Sequence, residues 1–417
     1  MLRPGQVIAL CALALLTLGV VMVNSAGMRV HIVDPQAGTA DPGVTAQSIL
    51  FSRSTIYAGL ALTALFLGSI MPVRYAAARL RGPSGSTSHP LAGLPLFGLG
   101  VVLLLMVCAL VYVPGLSRVA NNSPRWISIP GLGGAEGLSA QPSEIAKWGL
   151  IFFVAAYCVA RRDLLPKFWL GLVPALIGIG AVAAFVAKAD LGTGTLIALV
   201  ACIMLLAAGA RVWQFALFVP VGILGFVAAV KANPYRIARI TSFLDPYADA
   251  EKTGYHMIQS LRAIAEGEGA GRGLGWSVQK FNYLPEDKTD FIFAIICEEL
   301  GIGGAAIVVG LFLALLWSCH AIVRRERDPM LRLLGLGVLT TVGLQAVINL
   351  AVVTGLAPTK GIALPLLSSG GTGWMMTAFS LGLVVAIERS QRDVNEVPLA
   401  SDGSATLLDA RSRTQAA

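Results

Sequence analysis

The chain has 417 residues, of which 56% are hydrophobic and only 13% are charged, and its mean hydropathy is +0.74. Water-soluble domains of this total length need more polar residues than this to cover their surface. The composition therefore excludes a soluble multidomain enzyme and predicts an integral membrane protein. The net charge of +8 does not indicate nucleic-acid binding, because the basic residues are scattered through short loops.

Ten apolar segments are each long enough to cross a bilayer, which takes about 20 residues as a helix. They lie at about 6–26, 52–72, 91–114, 143–160, 167–187, 191–209, 212–231, 290–317, 333–355 and 365–387. The sequence therefore predicts an all-α, polytopic membrane domain over residues 1–389. Its one large polar loop, about 232–289, lies between the seventh and eighth helices and contains an amphipathic stretch at Tyr255–Ile264. Residues 390–417 are polar without apolar periodicity and are predicted to be a disordered tail.

The basic residues predict the orientation of the chain. With a cytoplasmic N-terminus, 16 Lys and Arg residues fall on the inside and 6 in the short outside loops, and positive charge marks the cytoplasmic side. The inside residues are Arg3, Arg74, Arg79, Arg81, Arg161, Arg162, Lys167, Arg211, Arg324, Arg325, Arg327, Arg332, Arg389, Arg392, Arg411 and Arg413; the outside residues are Arg29, Arg53, Arg118, Arg125, Lys188 and Lys360. Both termini are predicted to be cytoplasmic and the long loop extracytoplasmic.

Cysteine and histidine spacing gives no metal site. The six cysteines lie in or beside apolar segments without a CxxC pair, and the four histidines are dispersed. We expect neither a disulfide nor a structural metal.

Ionisable groups within or beside apolar spans are costly, so they mark candidate functional positions. Glu144 and Lys147 follow Pro142, which begins a helix, and their i, i+3 spacing places them on one face of it. They are either an ion pair that neutralises itself or part of a functional site. Asp190 begins a span, where a helix cap explains it almost as well.

Two further places lie near the end of the chain. Asp290 stands at the head of the eighth span, with Glu298 and Glu299 deeper in the same helix, where they require basic partners or water. Lys360 precedes a segment rich in Gly and Ser that includes Ser368, and such an interruption is tolerated only against protein or a water-filled cavity. Most of these places fall at outer helix ends, which predicts an outward-facing polar cavity.

Several segments, taken in their order along the chain, resemble those of a known family. The strongest are Gly273–Lys280 and Tyr283–Ala294, and others include Gln141–Glu144 and Asp190–Thr193. These segments resemble the FtsW/RodA/SpoVE family, the SEDS proteins of bacterial cell-wall synthesis, over nearly the whole chain. The run Pro358–Leu366 is more similar to the division branch, FtsW, than to the elongation branch.

The resemblance implies a peptidoglycan glycosyltransferase that polymerises lipid II by β-1,4 transfer during septal wall synthesis and releases undecaprenyl pyrophosphate. It implies that Asp290 is the catalytic base, and that Arg125, Lys360 and basic residues of the long loop face the pyrophosphate. A divalent cation, Mg²⁺ or Mn²⁺, is a candidate cofactor without a readable ligand set. The other candidate substrate-binding residues are Trp126, Glu144, Lys147, Asp190, Gln279, Lys280, Glu286 and Ser368.

The implied partners are lipid II, a class B penicillin-binding protein acting as transpeptidase, other divisome proteins and membrane lipid, with no nucleic acid. The implied location is the inner membrane at the division septum. Three alternatives stay open: a lipid II flippase, an elongation-type polymerase, and a non-catalytic scaffold for the penicillin-binding protein.

Overall fold

The computed structural model describes residues 2–27, 52–80, 93–113, 117–120, 123–128, 139–232, 234–281, 283–369 and 371–396. Fourteen α-helices and three short strands form this part of the chain. The helices are α1 (Pro4–Ala26), α2 (Arg53–Ile70), α3 (Val73–Leu80), α4 (Leu94–Ala109), α5 (Pro142–Ala160), α6 (Val173–Ala189), α7 (Leu191–Ala207), α8 (Val212–Ala216), α9 (Val219–Lys231), α10 (Pro234–Leu244), α11 (Tyr255–Glu266), α12 (Ile292–Arg325), α13 (Pro329–Val353) and α14 (Thr372–Glu396); the strands are β1 (Ser117–Ala120), β2 (Ser123–Ser128) and β3 (Ser139–Ala140).

The predicted spans correspond to these helices. Within the described residues, eight helical stretches are long and apolar enough to cross a membrane: Pro4–Ala26, Arg53–Ile70, Leu94–Tyr112, Pro142–Ala160, Phe168–Ala189, Val212–Lys231, Ile292–Arg325 and Pro329–Val353. The other two predicted spans coincide with α7, which has 17 residues, and with α14, whose apolar first part is followed by charged residues. The all-α polytopic architecture is confirmed.

Two predicted boundaries near the end of the chain are corrected. The last helix begins at Thr372 rather than at 365, because Pro365 and Leu366, which has a left-handed φ of 61°, interrupt helical geometry. The same helix continues to Glu396, so residues 390–396 are not the start of a disordered tail. Gln391 Nε2 ties this extension to α12 by donating to the Ile322 carbonyl oxygen at 3.1 Å. The rest of the predicted tail, 397–417, lies outside the described residues.

A small antiparallel sheet was not predicted. Its order is β1-β2-β3, with Trp126 opposite Arg118 and Ile127 opposite Ala140. Because β3 leads directly into α5, the sheet places Arg125 beside the first turn of that helix.

Close backbone contact joins α2 to α14. A Cβ atom on Gly68 would lie 2.4 Å from the Phe379 carbonyl oxygen, and one on Gly382 would lie 2.3 Å from the Leu65 carbonyl oxygen. Helices in membranes associate by such small-residue contacts, since lipid is as apolar as their side chains.

The first half of the long loop is mainly helical, and its second half is attached to α12. The predicted amphipathic stretch is confirmed as α11, which follows α10. Within α12, Gly301 adopts φ 63° and ψ −157°, which interrupts the helix. The loop supplies replacement hydrogen bonds there, since Arg272 N donates to the Glu298 carbonyl oxygen and Gly273 N to that of Glu299, both at 2.9 Å.

Candidate active site

Asp290 lies in the turn that leads into α12. Thr289 N and Phe291 N both donate to the Glu286 carbonyl oxygen, at 3.1 and 3.2 Å, and Glu286 itself has a left-handed φ of 59°. The cap residue of α12 is Phe291, and no side chain caps this helix end. The Asp290 carboxylate is therefore not used as a helix cap.

The environment of Asp290 favours its protonated form. Burial is the largest effect, and the negative charges of Glu286 and Asp190 act in the same direction, while Arg239 and Arg125 oppose it. Together they raise the pKa of Asp290 to about 7. A carboxyl group with a pKa near neutrality is suited to accept and return a proton under physiological conditions.

Asp190 stands at the junction of α6 and α7 and caps α7. Its Oδ1 accepts from Gly192 N at 2.9 Å, and its Oδ2 accepts from the Thr193 hydroxyl at 2.8 Å. The cap explanation for Asp190 is thus correct. Its charge nevertheless acts on both Asp290 and Lys360, so this cap also belongs to the electrostatics of the site.

Lys360 and Gly361 lie in the loop between α13 and α14. The Lys360 ammonium lies 5.4 Å from the centre of the Phe226 ring of α9. Burial lowers the pKa of Lys360, and Arg236 and Arg239 lower it further, whereas Asp190 raises it. A Cβ atom on Gly361 would lie 3.0 Å from Asp290 Oδ2, so this loop passes directly beside the carboxylate.

Two amide side chains of α13 hold that loop. Asn349 Nδ2 donates to the carbonyl oxygens of Asp290 at 2.8 Å and Ile362 at 2.7 Å. One turn earlier, Gln345 Nε2 donates to the Ala363 carbonyl oxygen at 2.9 Å. Neither residue was predicted as a site residue. Their signal in the sequence is the spacing of Thr341, Gln345 and Asn349, which places three polar side chains on one face of an apolar span.

Basic residues of α10 approach the same loop. Arg239 Nη1 donates to the Thr359 carbonyl oxygen at 3.2 Å, and Arg236 donates to the carbonyl oxygens of Ala229 and Ala187 at 2.8 and 3.1 Å. His256 on α11 stacks on Phe291, the residue after Asp290, and its pKa is lowered by burial and by Arg239. His256 was not predicted, because an isolated histidine in a polar loop carries no signal.

Arg125 borders a small pocket between α4, α5 and α6 that is partly open to the surface. Its Nε is buried and has no hydrogen-bond partner among the described residues. The cavity is lined by Cys108, Val111, Tyr112, Arg125, Gln141, Pro142, Ser143, Phe185, Val186, Ala189 and Asp190. Most of its lining is apolar, and Arg125 and Asp190 are its charged residues. Trp126, the neighbour of Arg125 on β2, is partly buried and does not line it.

Glu144 and Lys147 form the ion pair that their spacing indicates. Lys147 Nζ lies 2.8 Å from a Glu144 carboxylate oxygen and donates to Gln345 Oε1 at 3.1 Å. Both residues are buried. The pair therefore adjoins the amide that holds the loop at Ala363, and direct contact with a substrate stays a prediction.

Glu298 and Glu299 have basic partners, as their burial requires. Lys280 Nζ lies 3.1 Å from Glu299 Oε1, and Arg272 Nε lies 3.9 Å from Glu298 Oε1. Ser25 of α1 also donates to Glu299 at 2.8 Å. These partners come from the long loop and from α1, so the two glutamates anchor the loop rather than line an open cavity.

Three predicted substrate-binding residues are enclosed by protein. The Lys280 ammonium is buried against Glu299, and the neighbouring Gln279 is 2% exposed. The Ser368 hydroxyl accepts from Leu364 N at 2.8 Å and shapes the loop before α14. Their burial argues against the predicted contact with substrate. Glu286, by contrast, is exposed and adjoins Asp290.

No group of three or more His, Cys, Asp or Glu side chains that could hold a metal ion occurs among the described residues. Glu286 and Asp190 act electrostatically on Asp290, but the three carboxylates do not form such a group. The described side chains do not make a complete cation site.

A family model described as "Cell cycle protein", FtsW/RodA/SpoVE, matches residues 6–393. The chain belongs to the FtsW/RodA/SpoVE family. It is 36% identical over 390 residues to the stage V sporulation protein E of Bacillus subtilis, covering 93% of this chain and 98% of that protein. It is also 36% identical over 415 residues to a probable peptidoglycan glycosyltransferase FtsW of Marinobacter nauticus, covering 97% and 94%.

Solved structures of family members have the same fold. A chain from a structure titled "Structural coordination of polymerization and crosslinking by a peptidoglycan synthase complex" matches with a TM-score of 0.64 and 25% identity, covering 92% of this chain and 97% of that one. The rod shape determining protein RodA of Thermus thermophilus matches with a TM-score of 0.56 and 22% identity, covering 92% and 96%.

Proposed function

We propose that this FtsW/RodA/SpoVE family member is a peptidoglycan glycosyltransferase that polymerises lipid II in septal wall synthesis. The observation that carries the proposal is Asp290, a partly buried carboxyl group with a pKa of about 7 on which the charges of Arg239 and Arg125 act. The loop that carries Lys360 passes beside it at Gly361. Relatives at 36% identity over nearly the whole chain are named as probable enzymes of this class.

The site supplies the two functions that glycosyl transfer requires. As the acceptor 4-hydroxyl oxygen bonds to the anomeric carbon of the donor sugar, its proton passes to the Asp290 carboxylate. The bond from that carbon to the pyrophosphate breaks, and undecaprenyl pyrophosphate departs with the electron pair. Arg125, Arg239 and Lys360 carry the positive charge that stabilises this leaving group. Asp290 then returns its proton to water.

The cavity beside Arg125 suits a lipid-linked pyrophosphate. Its basic group and its apolar wall, which includes Val111, Phe185 and Val186, match an anionic head attached to a hydrocarbon chain. A bound Mg²⁺ or Mn²⁺ would supply further positive charge to stabilise the departing pyrophosphate.

The proposal includes location and partners. The 16 to 6 asymmetry of basic residues supports cytoplasmic termini and an extracytoplasmic long loop in the inner membrane. We infer a class B penicillin-binding protein as the transpeptidase partner, since a structural neighbour belongs to a complex titled for polymerization and crosslinking. Septal placement with other divisome proteins accords with the similarity to proteins named FtsW.

Reconstitution tests the function. The purified chain is placed in liposomes with lipid II, with and without a class B penicillin-binding protein, and the products are separated by size. Glycan strands longer than the substrate are expected, and they require Asp290. Movement of lipid II between leaflets without strands would replace the enzyme with a flippase. If neither occurs even with the partner, the chain is a scaffold and the proposed activity is wrong.

A further inference from the structure

One side chain amide links the two backbone segments that face each other across the site. Asn349, on α13, is 1% exposed. Both hydrogens of its Nδ2 are used, one toward the Asp290 carbonyl oxygen at 2.8 Å and one toward the Ile362 carbonyl oxygen at 2.7 Å. Its own Oδ1 is buried and accepts no hydrogen bond from the described residues.

The two carbonyl groups belong to the residues whose placement the chemistry needs. Asp290 carries the carboxylate proposed as the base, and Ile362 directly follows Lys360 and Gly361 in the sequence. Neither carbonyl lies inside an α-helix, since α12 begins at Ile292 and the loop from Pro358 to Ser369 is not helical. Each segment therefore depends on a partner from outside to fix its position.

Neighbouring contacts leave the loop at Gly361 and Ile362 little room to move. Gly361 passes within contact distance of Asp290 Oδ2, and Ile362 lies against the start of α7, where a Cβ on Gly192 would be 3.2 Å from Ile362 Cδ1. Gln345 holds the next residue, Ala363, from the same face of α13. A shift of the loop would therefore change the distance between Lys360 and Asp290.

We propose that Asn349 is a positioning residue for the transfer reaction. Its amide sets the placement of Asp290 relative to the loop that carries Lys360, and it contacts neither substrate nor the reacting atoms. This inference rests on the proposed glycosyltransferase function. Asparagine suits the role because one short, buried group presents two donors to two carbonyl oxygens.

The test uses Asn349→Leu, which keeps the approximate size and removes both donors, and Asn349→Ala. Thr341→Val is the matched control, because Thr341 is a buried polar residue on the same helix face. Its hydroxyl donates to the Gly337 carbonyl oxygen of its own helix and has no other hydrogen-bond partner among the described residues. Polymerisation of lipid II is measured per folded molecule, over a range of lipid II concentrations and of pH. Folded protein is counted by gel filtration.

For both Asn349 variants, kcat is expected to fall by up to about 10²-fold, the loss that a displacement near 1 Å can cause. KM is expected to change less than about twofold, because the loss concerns the reacting geometry and not uniform binding. Looser packing admits water to a carboxylate that faces Glu286, Asp190, Arg239 and Arg125, so the pH midpoint of kcat should move down toward the ordinary aspartate range near 3.9. Thr341→Val should keep the parent kcat and midpoint.

A merely structural role for Asn349 would reduce the amount of folded protein and leave the midpoint unchanged, which would overturn the inference. Unchanged kcat in Asn349→Leu would do the same. Asp290→Asn is run in parallel. If Asp290→Asn is inactive while the Asn349 variants behave like Thr341→Val, positioning by Asn349 is wrong and the proposed function stands. If Asp290→Asn is fully active, the assigned base is wrong instead.

Discussion

Gly361 leaves open a space beside the Asp290 carboxylate that any other residue would fill, because a Cβ at this position would lie 3.0 Å from Oδ2. Substitution by alanine must push the loop or the carboxylate aside by a few tenths of an ångström. We expect Gly361→Ala to lower kcat by about tenfold or more, since small displacements of a catalytic group are costly. Polymerisation assays measure this effect. Gly303→Ala, in open space on α12, is the control, and equal activity of the two variants would show that the space is unimportant.

Asp290→Asn tests the base directly. The substitution keeps the size of the side chain and removes its ability to accept the acceptor's proton. Polymerisation of lipid II should fall at least about 10²-fold, the lower range for a general base, with normal membrane insertion. Glu251→Gln removes an exposed carboxylate from the long loop and should keep full activity. A fully active Asp290→Asn protein would redirect attention to Asp190, Glu286 and Asp287.

The pKa of Asp290 makes activity and stability depend on pH in opposite directions. The base must be ionised, so kcat should rise as pH increases through about 7. The folded-state pKa lies above the unfolded value, so folding favours the protonated carboxyl group, and its contribution to stability is lost as pH rises through that value. The difference in Tm between Asp290→Asn and the parent should therefore grow in favour of Asn between pH 5 and pH 8. Thermal unfolding at both pH values measures it, and a constant difference would contradict the raised pKa.

Glu144 and Lys147 should behave as one unit. Removing one partner leaves a buried charge without compensation, which typically costs about 3–5 kcal/mol. Glu144→Gln and Lys147→Met should each lower Tm strongly, and the double variant should lose less than the sum of the two. Thermal unfolding of all four proteins gives the coupling. Simple additivity would show that the 2.8 Å contact contributes nothing.

Topology is tested by cysteine labelling in a Cys-free background. Ala250→Cys, in an exposed turn of the long loop, should react with an impermeant reagent added outside the inner membrane. Arg327→Cys, exposed between α12 and α13, should react only after the inner face is opened. The reverse pattern would invert the proposed orientation.

Hydropathy predicted the membrane helices well, because the backbone N–H and C=O groups of a span cannot bond to water in the bilayer and must bond to each other within a helix. The Glu144–Lys147 contact was also predictable, since i, i+3 spacing fixes it within one helix. Asn349 was not recognised, although its spacing from Gln345 on an apolar span was visible. Its partners are backbone groups distant in the sequence, and only the fold brings them together.

The role of Lys280 was beyond the sequence for a different reason. A lysine in a polar loop ordinarily faces water, and its burial depends on the interruption at Gly301, where α12 leaves carbonyl groups for the loop to bind. Because glycine is common in membrane helices, its presence in the sequence does not predict such an interruption. The sequence therefore predicted a basic partner for the buried glutamates without indicating which one.

The attachment of the loop to α12 sets an order of events during synthesis. Lys280 leaves the ribosome 19 residues before Glu299, an interval of roughly one to four seconds at about 5–20 residues per second. During that time the Gly271–Lys280 segment has neither its carboxylate nor the carbonyl groups that Arg272 N and Gly273 N bind. The loop must therefore wait, hydrated, until α12 has entered the bilayer. The loop can thus be anchored only after the helix that Asp290 introduces has been made.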